Sequence, residues 1–192
     1  MNIDITNCNK VNMIDSCSLW NILSSLVVYS VLLENKFSFS ITGFVEYECL
    51  YKPRTIHNKM DAELQTKLKS EIDKGNVTCY NLTIEDLQDD FVLKNRNTIG
   101  IGELSSIAFA KKVSISFLTD DQKARRIAMD ILGKEQVQTT SLILGWLFYT
   151  SLLSEGDIDA IIKSHNEYFR PLEKYFREVH NEALRLKYFL KT

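Results

Sequence analysis

Carboxylates recur at four separated points where the surrounding sequence is largely apolar. Asp15 closes the run VNMID, Glu48 lies in GFVEYECLY, Glu103 opens ELSSIAFAKK, and Asp120 and Asp121 end FLTDD. The four cysteines and three histidines show no zinc-ligand spacing. Oxygen ligands without such company suit Mg2+ or Mn2+ rather than zinc. A group of carboxylates cannot stay fully ionised side by side unless cations offset the repulsion. Acidic sites of this kind hydrolyse phosphodiesters, with one or two metals activating water and stabilising the departing oxygen. Each acid also has a plainer explanation: a strand-end turn for Asp15, a first-turn dipole partner for Glu103, and an N-cap for the aspartate before QKARR.

The second acid is open between two residues. In GFVEYECLY read as a helix, Glu46 and Glu48 point about 200° apart. Phe44, Tyr47 and Tyr51 predict one face, with Glu48 inside its arc and Glu46 near the back. A carboxylate on an apolar face must be paired, protonated or bound to a cation. Glu48 therefore needs a partner. Glu103 is similar, stacking with Ile107 and Ala110 at i+4 and i+7 on an inward stripe.

The elements that must position these acids alternate. Strands are predicted at 11–15, 37–42, 77–82, 114–118 and 137–140 from their β-branched, alternating composition. Helices are predicted at 18–35, 43–51, 55–75, from Thr83 through IEDLQDD, at 99–112, over QKARRIAMDILGK, and in two closing helices, the last at about 158–190 with a kink or restart at Pro171. Strands separated by helices, with no hairpin signal, imply an α/β fold: a parallel sheet of four to five strands covered by helices, with a C-terminal helical extension. Ligands of such sheets collect beyond the carboxyl ends of the strands. Asp15 and Asp121 follow the first and fourth strands and so belong on one rim.

Composition bounds the partners. The 192-residue chain is 45% apolar and 25% charged, that of an ordinary globular domain, with two prolines and seven glycines leaving no room for a flexible linker. A net charge of -2 argues against broad electrostatic capture of duplex DNA. No signal peptide is evident, and the apolar stretches 22–33 and 141–153 fall short of the ~20 residues of a membrane span. A cytoplasmic protein without a membrane partner is expected. Cys17 and Cys49 read as small buried hydrophobes. The histidines 57, 165 and 180 lie in polar helical stretches and call for no role.

At this point the chain resembles a family. Asp15-Ser16-Cys17-Ser18-Leu19, Tyr47-Glu48-Cys49-Leu50, Gly102-Glu103-Leu104-Ser105-Ser106-Ile107-Ala108 and Leu118-Thr119-Asp120-Asp121 look like the ordered motifs of PIN domains. They are most similar to the VapC-like toxin branch, whose third acid lies in a Gly-Glu-x-x-x-Ile-Ala helix and whose fourth motif continues Asp-Asp-x-x-Ala-Arg. Thr140-Ser141-Leu142-Ile143-Leu144-Gly145 resembles the segment leading into that family's last core helix. The resemblance covers about residues 10–155. It implies a PIN-like nuclease domain over 1–155 and a helical extension over 156–192 packed on the domain or a partner. It further implies a Mg2+- or Mn2+-dependent endoribonuclease, the toxin of a toxin-antitoxin pair, with RNA as substrate, a protein antitoxin as partner and a possible homodimer. Asp15, Glu48, Glu103 and Asp121 would be the catalytic, metal-binding acids, with Asp120 an additional metal-binding neighbour. Asp121 is preferred because the Thr-x-Asp pattern lands on it. Ser16, Thr119 and Thr140 would orient water or ligand. Water would attack an RNA phosphate in line, leaving a 5′-phosphate and a 3′-hydroxyl. The stretch 52–76 and the tail beyond 155 are longer than the family's compact members carry.

Basic residues flank these motifs: Lys94, Arg96, Lys111, Lys112, Lys123, Arg125 and Arg126. They read as solvated helix faces or phosphate contacts, Arg125 the strongest for contact, one turn beyond Asp121. In the tail, Tyr168, Phe169, Leu172, Tyr175 and Phe176 recur at helical spacing and predict a core or dimer stripe. Two other readings stand beside the ribonuclease. One is the same fold as a non-catalytic interaction module or a DNA-directed defence nuclease. The other is an unrelated α/β domain whose acids are caps and salt-bridge partners.

Overall fold

A computed structural model describes residues 4–53 and 59–189. Five parallel strands, β1 Val11–Ile14, β2 Ser38–Thr42, β3 Val77–Tyr80, β4 Ser116–Leu118 and β5 Val137–Gln138, form one sheet in the order β3-β2-β1-β4-β5. Helices connect them: α1 Ser16–Leu23 and α2 Leu26–Glu34 after β1, α3 Gly43–Leu50 and α4 Lys59–Asp73 after β2. After β3 come α5 Ile84–Leu87, α6 Asp90–Asn95 and α7 Ile101–Val113. Helix α8 Gln122–Leu132 and a 3-10 turn lead from β4 to β5, and α9 Thr140–Tyr149, α10 Asp157–Glu167 and α11 Glu173–Phe189 follow. The expected α/β class with a helix-covered parallel sheet is present.

Strand alternation sends successive side chains to opposite faces. Met13 and Phe117 pack with Leu104, Ile107, Ala124, Ala128 and Val137 under α6, α7 and α8. Ile14 and Leu118 pack on the other face with Phe39, Ile41, Leu144 and Phe148. That second core also takes Ile158, Ile161 and Ile162 of α10 and Phe176, Val179 and Ala183 of α11. The tail thus shares the apolar interior of the sheet. Gly145 permits the close docking of α11 on α9, since a Cβ there would sit 2.7 Å from Ile5 and 2.9 Å from Val179.

The helix expected at 18–35 is broken, and the closing helix restarts around Pro171 as expected. The stretch 18–35 divides into α1 and α2, bent by 98°. Ser24 Oγ donates to the Trp20 carbonyl (2.7 Å), and Ser25 adopts extended backbone while its hydroxyl caps Val28 N–H (3.4 Å). The Ser24 hydroxyl doubles the backbone bond to Trp20 at the end of α1, and the Ser25 hydroxyl supplies the acceptor that starts α2. The stretch 158–190 divides at 168–172, where Phe169 takes a left-handed φ of 57° just before Pro171. The start of the helix expected at 55–75 lies outside the described residues. Its visible part, α4, buries Leu64, Leu68 and Glu71 rather than lying free. Glu71 accepts from Tyr29 Oη (2.8 Å), Asn76 Nδ2 (2.7 Å) and Lys74 Nζ (2.8 Å), which ties α4 to α2. Among the described residues, no single helix is long and apolar enough to cross a membrane.

Candidate active site

The strand order reverses beside β1: the chain runs outward through β2 and β3, then crosses to β4 on the other side. The crevice beyond the carboxyl ends of β1 and β4 is where such sheets bind ligands. Asp15 stands at one lip and Thr119-Asp120-Asp121 at the other, joined by a bond from Asp15 N–H to the Leu118 carbonyl (3.3 Å).

Asp15 is 1% exposed. Its Oδ1 caps α1 by accepting from Ser18 N–H (2.8 Å), and its Oδ2 accepts a short bond from Thr119 Oγ1 (2.5 Å). Burial pushes its carboxyl up to about 7 against these bonds, and the Asp120 charge adds to the rise. Asp120 is held by Thr140 N–H (2.9 Å), Thr140 Oγ1 (2.5 Å) and Asn21 Nδ2 (2.8 Å), while its own N–H donates to Ser18 Oγ (2.7 Å). Asp121 is exposed and caps α8 by accepting from Ala124 N–H (2.7 Å). Of the two aspartates, Asp120 is therefore the one bonded into the crevice. The Thr-x-Asp spacing that favours Asp121 falls on the residue that starts the helix.

Glu48 and Glu46 part company. Glu46 accepts from Cys79 Sγ (3.1 Å) on β3. Glu48 accepts from Ser16 Oγ (3.3 Å) at the start of α1 and from the Gly102 N–H in the first turn of α7. Gly102 leaves room for this approach, since a Cβ there would lie 2.6 Å from Glu48 Oε2 and the carboxylate would have to shift. Gly100 at the N-cap of α7 provides no side-chain cap, so the Glu48 carboxylate serves orphan donors at a positive helix end. Burial raises the Glu48 carboxyl, the neighbouring Glu103 charge adds to that, and Lys52 opposes it. Glu103 folds back over Gly100.

The reason for burial on α3 differs from the one read in the sequence. The buried stripe is Val45 and Cys49, whereas Tyr47 and Tyr51 are exposed. Glu48 is half-buried because α7 meets α3 there, not because the aromatics form an inner face.

Asp15, Glu48, Glu103, Asp120 and Asp121 form no ion pair among the described residues. They lie as two pairs, Asp15 with Asp120 and Glu48 with Glu103, bridged by Ser16 next to Asp15. Among the described residues, no three ligand-type side chains converge as a ready metal-binding group. The donor chemistry nevertheless fits a hard divalent cation: the acids are unpaired, offer only oxygen, and include two carboxyls held up by burial and like charge. Positive charge would lower both.

Several residues depart from expectation. Cys49 is buried, but Cys17 is exposed on the first turn of α1, where the surrounding protein and the Asp15 and Asp120 charges push its thiol up to about 11. His165 is 1% exposed and bridges two helices, its Nδ1 lying 2.9 Å from the Ile161 carbonyl and its Nε2 2.9 Å from the Asn21 carbonyl. Burial lowers its pKa. Because Asn21 also donates to Asp120, the tail is wired to the crevice. His180 stacks edge-on against Phe148, with its Nε2 buried and unbonded. His57 lies outside the described residues.

Lys111 and Lys112 pair with Asp89 and Asp86 as a solvated helix face would. Arg125 is half-buried one turn into α8 and makes no ion pair among the described residues. Of the tail stripe, Phe176 enters the core against His165, Tyr168 bonds Glu63 (2.7 Å), and Phe169 and Tyr175 are exposed. No protein-family model, no curated protein and no solved structure matches this chain.

Proposed function

We propose that the chain is a PIN-like endoribonuclease that hydrolyses RNA phosphodiesters at the β1/β4 crevice, acting as the toxin of a toxin-antitoxin pair. The observation that carries the reading is the two pairs of carboxylates, Asp15 with Asp120 and Glu48 with Glu103, to none of which a cationic side chain is paired among the described residues. Unpaired carboxylates in half-buried positions are costly unless a cation joins them. Asp15 and Asp120 would hold the cation, with Glu48 and Glu103 as a second pair beyond Ser16, and Asp121 at the exposed start of α8. A bound Mg2+ or Mn2+ would activate water and offset charge on the phosphate. Thr119 and Thr140 hold the orientation of Asp15 and Asp120 through their hydroxyls. Ser16 and the α7 N-terminus hold Glu48. Without a cation, burial holds the Asp15 carboxyl up to about 7, and a bound cation would draw it to its ionised form.

A second reading has its own observation. Asp15 and Asp121 each cap a helix, and Glu103 folds over the N-terminus of another. On that reading the acids are structural and the fold is a non-catalytic module. The two separate when a mixed RNA pool is incubated with Mg2+, Mn2+ or EDTA and the native protein, Asp15→Asn or Asp121→Asn. Cutting that requires the metal and is lost in Asp15→Asn supports the nuclease. If the native protein leaves all RNA intact in every metal, the capping reading takes its place.

A further inference from the structure

Arg170 lies in the turn between α10 and α11, a region the acidic motifs leave without a task. Its backbone N–H donates to the His165 carbonyl (2.8 Å), and its own carbonyl accepts from Leu172 N–H (2.8 Å). The left-handed Phe169 before it and Pro171 after it fix the turn. The turn is anchored to the crevice on its other side as well, because the His165 ring meets the Asn21 carbonyl and Asn21 donates to Asp120. The Arg170 Nε is buried and has no hydrogen-bond partner. Among the described residues the guanidinium forms no ion pair, although its charge is felt at Cys17, which also feels Asp15, Asp120 and Asp121.

A buried guanidinium N–H without an acceptor is costly, and its planar fork matches a phosphate bidentately. The Arg170 side chain as a whole is only half-buried, and the His165–Asn21–Asp120 bonds tie its turn to the acids, so a phosphodiester held by a cation there could also be met by the guanidinium. We propose that Arg170 contacts a backbone phosphate of the RNA at the acid rim, so that the C-terminal helices complete the substrate site. This role rests on the nuclease reading above. It deepens that reading by assigning a substrate contact to a part of the chain outside the acidic motifs.

The test uses the full chain as native protein, Arg170→Ala and Arg170→Lys, with folding checked by thermal melting. Binding of a short fluorescein-labelled single-stranded RNA is measured in Ca2+ over a range of salt, and cleavage kinetics in Mn2+. A contact held equally in ground and transition states raises KM and leaves kcat alone. Arg170→Ala should raise KM on the order of tenfold, as for loss of a charged hydrogen bond. It should also reduce the salt slope of binding by about 0.7, the share of one phosphate on a single strand. Arg170→Lys should fall between, keeping charge but losing the fork, and carries the test if the alanine variant does not fold.

An RNA cut by the native protein, with unchanged KM and salt slope in both variants, overturns the Arg170 role and leaves the nuclease standing. RNA bound but never cut, with the slope still lost in Arg170→Ala, supports the contact and overturns the cleavage. Native protein that neither binds nor cuts RNA overturns both.

Discussion

The two acid pairs differ in what holds them. Asp15 and Asp120 stand at strand ends, where backbone pairing between β1 and β4 fixes their Cα positions and five hydrogen bonds from Ser18, Thr119, Thr140 and Asn21 fix their oxygens. Glu48 and Glu103 stand on helices. They are half-buried on longer side chains; Glu48 is held by the first turn of α7 and the Ser16 hydroxyl, and Glu103 folds back over Gly100. The first pair is preorganised by the sheet, the second adjustable by a rotamer change. Strand-end groups give precision to a site, and helix-borne glutamates give it reach.

The largest effect should come from breaking the rigid pair. Asp15→Asn preserves the size and much of the capping ability, because asparagine is as good an N-cap as aspartate. Cleavage should nevertheless fall by at least about a hundredfold, the scale of losing one preorganised electrostatic group. Stability should move the other way with pH. The folded Asp15 carboxyl sits near 7, well above its unfolded value of about 4. Its contribution is then fully present below pH 4 and is lost as pH rises through 7, where ionisation of a buried group opposes folding. Thermal melting between pH 5 and 8 without divalent metal should show a decline in native protein that is reduced in Asp15→Asn. Mn2+ should restore stability at pH 8 in the native protein more than in the variant. Equal pH slopes in the two proteins would remove Asp15 as the titrating group.

The adjustable pair should yield a smaller effect, with activity and stability uncoupled. Gly102→Ala places a methyl where Glu48 Oε2 now sits, yet the obstructed group is the end of a flexible side chain. Alanine is also the better helix former by roughly 1 kcal/mol. Melting should change by less than about 1 kcal/mol while cleavage drops on the order of tenfold, as a displaced positioning contact would cost. If Gly102→Ala cuts RNA at the native rate, the precise seat of Glu48 does not matter to the chemistry.

Legibility in the sequence follows the same division. The parallel sheet was readable because VNMI, SFSIT and VTCY carry strand composition between long helical periods, and the shared rim of Asp15 and the Thr119-Asp120-Asp121 loop follows from that topology alone. Glu48 was readable as a residue that needs a partner, though the aromatic face invoked for it is exposed in the folded chain. What brings Glu48 in is the meeting of α3 with α7, a tertiary contact with no local periodic signature. The Ser24-Ser25 break depends on side-chain-to-backbone bonds, which hydropathy does not register, whereas Pro171 signalled the restart at 168–172 and only its left-handed Phe169 went unread. His165 and Arg170 were invisible for a related reason: in sequence they are polar residues of a polar helix end, and only docking of α10 on α1 gives them neighbours.

The finest comparison lies inside the rigid pair's own loop, between adjacent aspartates. Asp121 accepts one capping bond at the surface, whereas Asp120 accepts three bonds from Thr140 and Asn21. An asparagine at 121 can still cap α8, so Asp121→Asn should change stability by no more than about 0.5 kcal/mol. An asparagine at 120 must turn an N–H2 toward at least one existing donor, at a cost of about 1–3 kcal/mol for the bond lost and the group left facing it. Chemical denaturation of the two variants gives the stabilities directly. Metal-dependent cleavage by the same two proteins then assigns the fourth acid. If Asp120→Asn is inactive and Asp121→Asn still cuts, the ligand is the residue bonded into the crevice. If the order is reversed, the α8 cap leaves Ala124 N–H for the cation, and the Thr-x-Asp pattern identifies the residue that folding alone does not.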